Sequence, residues 1–416
     1  MKSGDDWSYW RVLRTGRLAP LLVGVVISSV GDGMLVTALP LLALAVRGDT
    51  PAALVIAIVE AAPYLLATAL AFAIGLGRLR VPPRALLIWD CLLRGVLFVG
   101  LGVLALSGDL SLPVLVCGLL FGSVFRMVAI SSRRLVMTAL VEPAGLFAVN
   151  GLLSTSQGIT LYAAGPVLGG VLSAVGQPGV ALLVDGLSFF LLLVVLLVVV
   201  PAQSGSVRGT SIPASGLRIL RRVPMAARLC VVVFCVNLFY MPVEVALPLL
   251  VRGPLGGDGA TLGVIWAGFG IGTLIGAIGT NWLRRLPQQR LLVAIIAAQG
   301  LVVVLLLLVP TASLATAVFF ALGVVYAPFT PVVYTLVQSV LHQDEQQPVL
   351  TLWSAVSVLA APIGLGLAGP LITAVGVHGG LAVSAGLTLV LVPIAGMGLR
   401  RDRDRAGDQP VEPVPR

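Results

Sequence analysis

From Leu18 to Leu399 the chain repeats one pattern, an apolar run closed by a short polar segment. A helix needs about 20 apolar residues to cross roughly 30 Å of hydrocarbon, and on that measure the chain contains twelve spans. They are expected near Leu18–Val46, Ala52–Leu76, Ala85–Leu106, Leu112–Ile130, Val149–Val175, Val180–Val200, Leu229–Val251, Thr261–Leu283, Leu291–Val309, Leu314–Leu341, Val349–Val375 and Gly380–Leu399. Only helices and closed barrels satisfy their own backbone hydrogen bonds in lipid, and runs of this length select helices. An all-α membrane protein is therefore expected. Composition agrees: 10% of the residues are charged, against roughly 25% in soluble domains. Asp5 and Asp6 precede the first run and no small-residue cleavage site follows it, so the first span is read as a retained helix.

The one long polar interruption, Ala202 to Ala227, carries Arg208, Arg218, Arg221 and Arg222 and no acid. It separates a bundle at 1–201 from a second at 228–399, with 202–227 as linker and 400–416 as tail. Its Gly, Ser and Pro residues read as a flexible connection, and GLRILRRV as a candidate interfacial helix. Lys and Arg accumulate on the cytoplasmic side, where anionic headgroups attract them. With both termini on that side, only Arg47 and Arg252 fall on the opposite face and only Arg94 and Arg126 inside spans, out of 26 basic residues. A plasma-membrane protein with both termini cytoplasmic is expected. The net charge of +9 is assigned to this bias rather than to nucleic-acid binding.

Several chemistries are excluded. The histidines, His342 and His378, fall between spans, and Cys91, Cys117, Cys230 and Cys235 show no ligand spacing, so no metal or other cofactor is expected. Lys2 is the only lysine and cannot serve a phosphate-binding loop, which leaves an ion gradient or a partner to drive any active transport. No catalytic constellation is present, and the chain is not read as an enzyme.

Ionisable groups inside spans cost about 2.5 to 3.5 kcal/mol each on insertion scales and are functional candidates for that reason. They are Asp32, Glu60, Asp90, Arg94, Arg126, Asp185 and Glu244. At 1.5 Å per residue, Glu60, Asp185 and Glu244 lie about 8 to 12 Å from the outer surface and Asp32 about 21 Å from it. Asp90 and Arg94, spaced i and i+4 with the acid first, are expected to neutralise each other near the inner boundary and to act on the inner gate. Arg126 is a candidate counter-charge for an acid or an anionic substrate group. Asp185, in the setting DGLS, is read as structural.

The halves repeat. ALPLL recurs at Ala38–Leu42 and Ala246–Leu250, SAVGQPG from Ser173 aligns with TAVGVHG from Thr373, and DGLS from Asp185 with AGLT from Ala385. Two six-helix bundles related by an axis along the membrane normal, with a site between them, are expected. Together with the basic linker, these features resemble the major facilitator superfamily over nearly the whole chain. SVGDGMLVTALPLLA, DCLLR, SSRRLVMTALVEP, LFAVNGLLS, GPVLGG, VDGLSFF and VQSVLHQDEQ are similar to its enterobactin-exporter-like and macrolide-efflux-like branch.

The resemblance implies a secondary transporter working by alternating access, with the first, second and seventh spans lining a central cavity. Asp32, Glu60 and Glu244 then become candidates for proton coupling, with Arg126, Asn237 and Tyr240 beside the substrate. Trp266, Phe269, Tyr326 and Trp353 are further candidates for an adaptable wall. Gly165, Pro166, Gly169 and Gly170 match a motif of antiporters and are candidate hinge residues. Arg80 and Arg84 match the gating loop between the second and third spans, but Leu79 stands where the family carries an acid. Proton-coupled efflux of an antibiotic, macrolide or siderophore-like molecule is the expected function. A lipid-like exporter or flippase, an uncoupled facilitator and a non-transporting scaffold stay open. The expected partners are a small-molecule substrate, protons and membrane lipids, with no nucleic acid and a monomeric chain.

Overall fold

A computed structural model describes residues 16–75, 81–142, 145–201, 214–283 and 285–407. Every regular element among them is helical. Among the described residues, ten helices are long and apolar enough to cross a membrane. The tenth is broken at Gly376, where the backbone is non-helical, and residues 146–174 form a further crossing interrupted by a π turn. Twelve crossings result.

The first bundle contains α1 (Leu18–Ala45), α2 (Ala52–Gly75), α3 (Pro83–Ser107), α4 (Leu112–Gly122 continued by Arg126–Thr138), α5 (Leu146–Ile159, the π turn Thr160–Ala164, and Gly165–Ala174) and α6 (Pro178–Val199). The second contains α7 (Pro224–Arg252), α8 (Gly259–Leu283), α9 (Gln288–Leu307), α10 (Ala312–Tyr326 continued by Phe329–Ser339), α11 (343–375) and α12 (377–407). Between them a linker helix spans Ala214–Arg222. The expected linker ran to Ala227, whereas α7 already begins at Pro224; proline suits a first helical turn, where its missing N–H has no partner to lose. Residues 202–213, the tail from 408 and Arg80 lie outside the described residues.

Local irregularities confirm the internal repeat. α4 is interrupted at Ser123–Phe125 and its counterpart α10 at Ala327–Pro328. The ALPLL repeats place Pro40 and Pro248 inside α1 and α7. Gly176 and Gly376, equivalent residues of the SAVG and TAVG segments, have φ of 79° and 76° and so turn the chain after α5 and α11. That left-handed backbone is one L side chains rarely adopt.

The cores show how the bundles meet. On the face that carries the linker, one apolar cluster is built from α1, α3, α4, α5 and α6, and a separate one from α7, α9, α10, α11 and α12 with Leu220 of the linker helix. On the far face a single cluster takes Ala53, Ile56 and Ala57 of α2 together with Val243 to Val251 of α7 and Leu365 to Ile372 of α11. The bundles are thus fused at the far face and separate at the linker face.

Small residues make that fusion possible. A methyl added to Gly170 of α5 would sit 2.5 Å from the Gly259 carbonyl and 3.1 Å from Gly263 Cα of α8, and one on Gly369 of α11 would sit 2.7 Å from Ala57 Cβ of α2. Lipid tails are as apolar as leucine, so helices in a membrane gain by this close backbone approach rather than by escaping water.

Candidate functional site

Pro166 has no N–H, so the Tyr162 carbonyl loses its usual helical partner. α5 accommodates the loss with the π turn Thr160–Ala164, in which the Gly165 amide donates to the Thr160 carbonyl. The turn brings Leu161 and Tyr162 to the wall of a cavity between the bundles. Immediately afterwards, Gly165 lies against Gly33 and Gly169 against the Met34 carbonyl, where added methyls would approach to 2.5 and 2.1 Å. The Thr37 hydroxyl donates to the Pro166 carbonyl at 3.0 Å, and this fastens α1 to the same segment. Gly165 and Gly169 therefore pack within the first bundle, whereas Gly170 and the Pro166 carbonyl, which a methyl added at Gly263 would approach to 2.5 Å, pack between bundles.

The cavity has two chambers of about 150 and 160 Å³ that share Tyr162, Glu244 and Trp266. The first, mainly against the first bundle, is lined by Asp32, Glu60, Tyr64, Arg94 and Arg126. The second, within the other bundle, is lined by Asn237, Tyr240, Phe269, Gln299 and Tyr326. Asp32, Glu60, Glu244, Arg126, Asn237 and Tyr240, the candidates from sequence, are thus all brought together.

Their surroundings differ. Asp32 is not a lone carboxylate, because Arg94 Nη1 donates to its Oδ1 at 2.8 Å. One oxygen of Glu60 is buried with no hydrogen-bond partner among the described residues, as is the Tyr240 hydroxyl. The Asn237 amide donates to the Val233 carbonyl at 2.9 Å, leaving its oxygen for a solute. Arg126 lies 5.1 Å over the Tyr64 ring in a cation–π contact, and both residues line the chamber. Rings of Tyr162, Trp266, Phe269 and Tyr326 line the second chamber with neighbouring centroids 5.6 to 6.0 Å apart, and Phe319 packs behind Trp266 at 5.7 Å. Such a wall accepts large apolar surfaces of varied shape.

Three expectations need correction. Asp90 and Arg94 are not a self-contained pair at the inner gate. Arg94 Nε lies 3.2 Å from Asp90, but the same guanidinium bridges to Asp32 and lines the cavity. The fourth span does not end at Ile130; its second segment continues to Thr138, and this draws Arg133 out of the expected loop to a buried position 3.7 Å from Asp90. Trp353 stands apart from the cavity, packed edge-on against Tyr334 at 4.6 Å in the linker-side core of the second bundle.

Arg84 donates to the Val200 carbonyl at 3.0 Å, tying the start of α3 to the end of α6. Tyr64, Gln299 and Tyr162 were not foreseen. For Tyr162 a signal existed: it stands four residues before Pro166, where a proline frees the carbonyl and distorts the helix.

The comparisons with known proteins agree with this architecture. The family model described as Major Facilitator Superfamily matches residues 21–347 and 240–415. The multidrug efflux pump Tap of Mycolicibacterium fortuitum is 27% identical over 421 residues, covering 94% of this chain and 97% of that protein. The multidrug efflux pump Tap of Mycobacterium tuberculosis is 25% identical over 374 residues, covering 86% of this chain and 87% of its own. Among solved structures, the nucleoside transporter NupG has a TM-score of 0.74 at 12% identity, covering 92% of this chain and 99% of that one. The human organic anion transporter MFSD10 has a TM-score of 0.61 at 14% identity, covering 93% and 99%. Helical content, paired bundles, an intervening cavity and a family match along nearly the whole length lead to one assignment: the chain is a multi-pass membrane protein of the Major Facilitator Superfamily.

Proposed function

We propose that the chain is a proton-coupled exporter of hydrophobic or amphipathic small molecules, which moves its cavity between the two faces by alternating access. The observation that carries this reading is one cavity, sealed at the far face by fused cores, whose wall combines the carboxyls Asp32, Glu60 and Glu244 with a run of aromatic rings. The carboxyls supply proton exchange and attraction for a cationic group, and the rings supply apolar contact without demanding one shape. Likeness to pumps named for multidrug efflux supports an antibiotic-like substrate.

In this reading the linker face is cytoplasmic, the membrane is the plasma membrane, and both termini lie inside, as the distribution of arginines favours. The cavity is completed within a single chain, which supports a monomer surrounded by lipid. The test is transport of ethidium by inside-out membrane vesicles energised with an acid interior. Uptake above that of vesicles lacking the protein, abolished when the pH gradient is collapsed, is expected. Uptake that ignores the gradient would leave an uncoupled facilitator.

A further inference from the structure

Behind the wall of the first chamber, α1, α3, α4 and α6 enclose three aspartates and two arginines. Four of these groups form a chain: Asp32 to Arg94 at 2.8 Å, Arg94 to Asp90 at 3.2 Å, and Asp90 to Arg133 at 3.7 Å. Arg94 and Arg133 also lie 4.7 and 5.6 Å over the ring of Phe189. The remaining aspartate, Asp185 of α6, is 0% exposed, and neither of its carboxyl oxygens has a hydrogen-bond or ion-pair partner among the described residues. The adjacent Ser188 hydroxyl donates to the Asp185 backbone carbonyl instead.

The charges facing Asp185 are Asp32 from α1, Arg94 from α3, and Arg126 and Arg133 from α4, with Asp90 one turn before Arg94. The part of α5 beside α6, Gly165–Ala174, has no titratable residue. Room for the carboxyl is made by Gly31, where an added methyl would lie 2.2 Å from Asp185 Oδ1 and 2.9 Å from its Cα. Gly31 directly precedes Asp32. Any movement of α1 therefore alters the packing on Asp185 and the Asp32–Arg94 pair together.

With Arg94 and Arg133 engaged by Asp32 and Asp90, and Arg126 stacked on Tyr64, Asp185 has no counter-charge in contact, and an ionised carboxylate without a partner is among the costliest groups to bury. Neutralising Asp185, the acid of the cluster with neither a hydrogen-bond nor an ion-pair partner among the described residues, removes that cost. We propose that Asp185 is a second proton site of the transporter, charged and discharged by exchange of Arg94 between Asp32 and Asp185. In the state described here Asp185 holds the proton and Arg94 pairs with Asp32. In the exchanged state the O–H bond of Asp185 is broken, one forms on Asp32, and the guanidinium turns to the new carboxylate. The total charge of the cluster is unchanged. Asp32, whose side chain is 16% exposed and lines the cavity, then gives the proton to cavity water as a cationic solute takes its place. The role in transport rests on the proton-coupled reading above, but the test reads the proton itself and holds whatever the substrate.

The test is infrared spectroscopy of the purified full-length protein at neutral pH, in a Glu60→Gln/Glu244→Gln background that removes the two cavity carboxyls outside the Asp32–Arg94 network. Protonated carboxyls have a C=O stretch separate from the amide and carboxylate bands. A component of that band should be present, and it should be lost in Asp185→Asn. Spectra that superimpose in this region would show an ionised Asp185 and overturn the proposal. Asp32→Asn frees Arg94 for Asp185 and should also remove the component, with a gain in the carboxylate region. Its persistence there would overturn the exchange. If Asp185→Asn does not yield folded protein, Gly31→Ala, which pushes on the carboxyl, should shift the component's frequency, and an unmoved band would place the proton elsewhere.

Discussion

The two bundles share a fold and differ in chemistry. The ALPLL alignment pairs residues 208 positions apart, as Ala38 with Ala246. It places Tyr240 at the position of Asp32, and Glu244 at that of Val36, one helical turn further along. The DGLS and AGLT segments likewise pair Asp185 with Ala385. The first bundle therefore buries a network of Asp32, Asp90, Asp185, Arg94 and Arg133, whereas the second contributes Glu244 and an aromatic chamber. The repeat gives both halves one scaffold, and point differences on equivalent helices place the buried charge network in the first and most of the aromatic rings in the second.

This contrast is broken most strongly at Arg94. Arg94→Met leaves Asp32 and Asp90 without their shared partner, and removing one member of a buried pair costs about 3 to 5 kcal/mol. Detergent-solubilised protein should unfold at a much lower temperature than wild type, while Glu244→Gln in the second bundle should unfold beside it. Partial recovery in Arg94→Met/Asp90→Asn would confirm that uncompensated charge is the cause. Equal melting of Arg94→Met and wild type would remove the network's structural role.

The glycines of α5 sharpen the comparison. Gly165 meets Gly33 within the first bundle, and Gly170 meets Gly259 and Gly263 of the second. Overpacking costs about 1 to 3 kcal/mol, so Gly165→Leu should lower thermal stability. Gly170→Leu should disfavour closure of the far face and reduce transport by about tenfold, since each 1.4 kcal/mol is a factor of ten, with the first bundle still folded. Identical behaviour of the two variants would mean that the segment acts as one packing unit.

Much of this was legible in the sequence and some was not. Span number and the repeat follow from hydropathy and local motifs, because lipid forces each backbone to satisfy itself within its own helix. Candidate acids were legible because charges inside spans are costly. The partner of each was not. Arg94 sits i+4 from Asp90, and that local spacing pointed to a closed pair; the contact with Asp32, 62 residues away, depends on helix rotation within the bundle. Arg133 was assigned to a loop because SSRR lowers hydropathy, yet its charge lies buried beside Asp90 and could not be recognised without the fold.

The smallest effect is expected at the far-face loop. Asp258 accepts from the Thr261 amide at 2.9 Å, and the Thr261 hydroxyl accepts from the Asp258 amide at 3.3 Å, a reciprocal cap on α8. Hydrogen bonds from Thr261, first its backbone and then its side chain, hold the Asp258 carboxyl below the usual aspartate value. A lowered folded-state pKa means the stabilisation is present above the unfolded value and is lost as pH falls through the folded one. Asp258→Ala should cost about 1 kcal/mol, Asp258→Asn less, and the difference from wild type should shrink in acid. A thermal-melt series across pH checks this.

The central claim is that carboxyls of the cavity convert a proton gradient into solute movement, with Glu60 the group whose buried oxygen is unpartnered. The direct measurement is paired transport by purified protein in proteoliposomes, with ethidium accumulation against an imposed pH gradient and ethidium exchange without one, for wild type and Glu60→Gln. The amide resembles the protonated acid but cannot release a proton, so the account predicts that the variant loses gradient-driven accumulation and keeps exchange. Accumulation by Glu60→Gln at the wild-type rate would contradict it and move the search for the coupling carboxyl to Glu244.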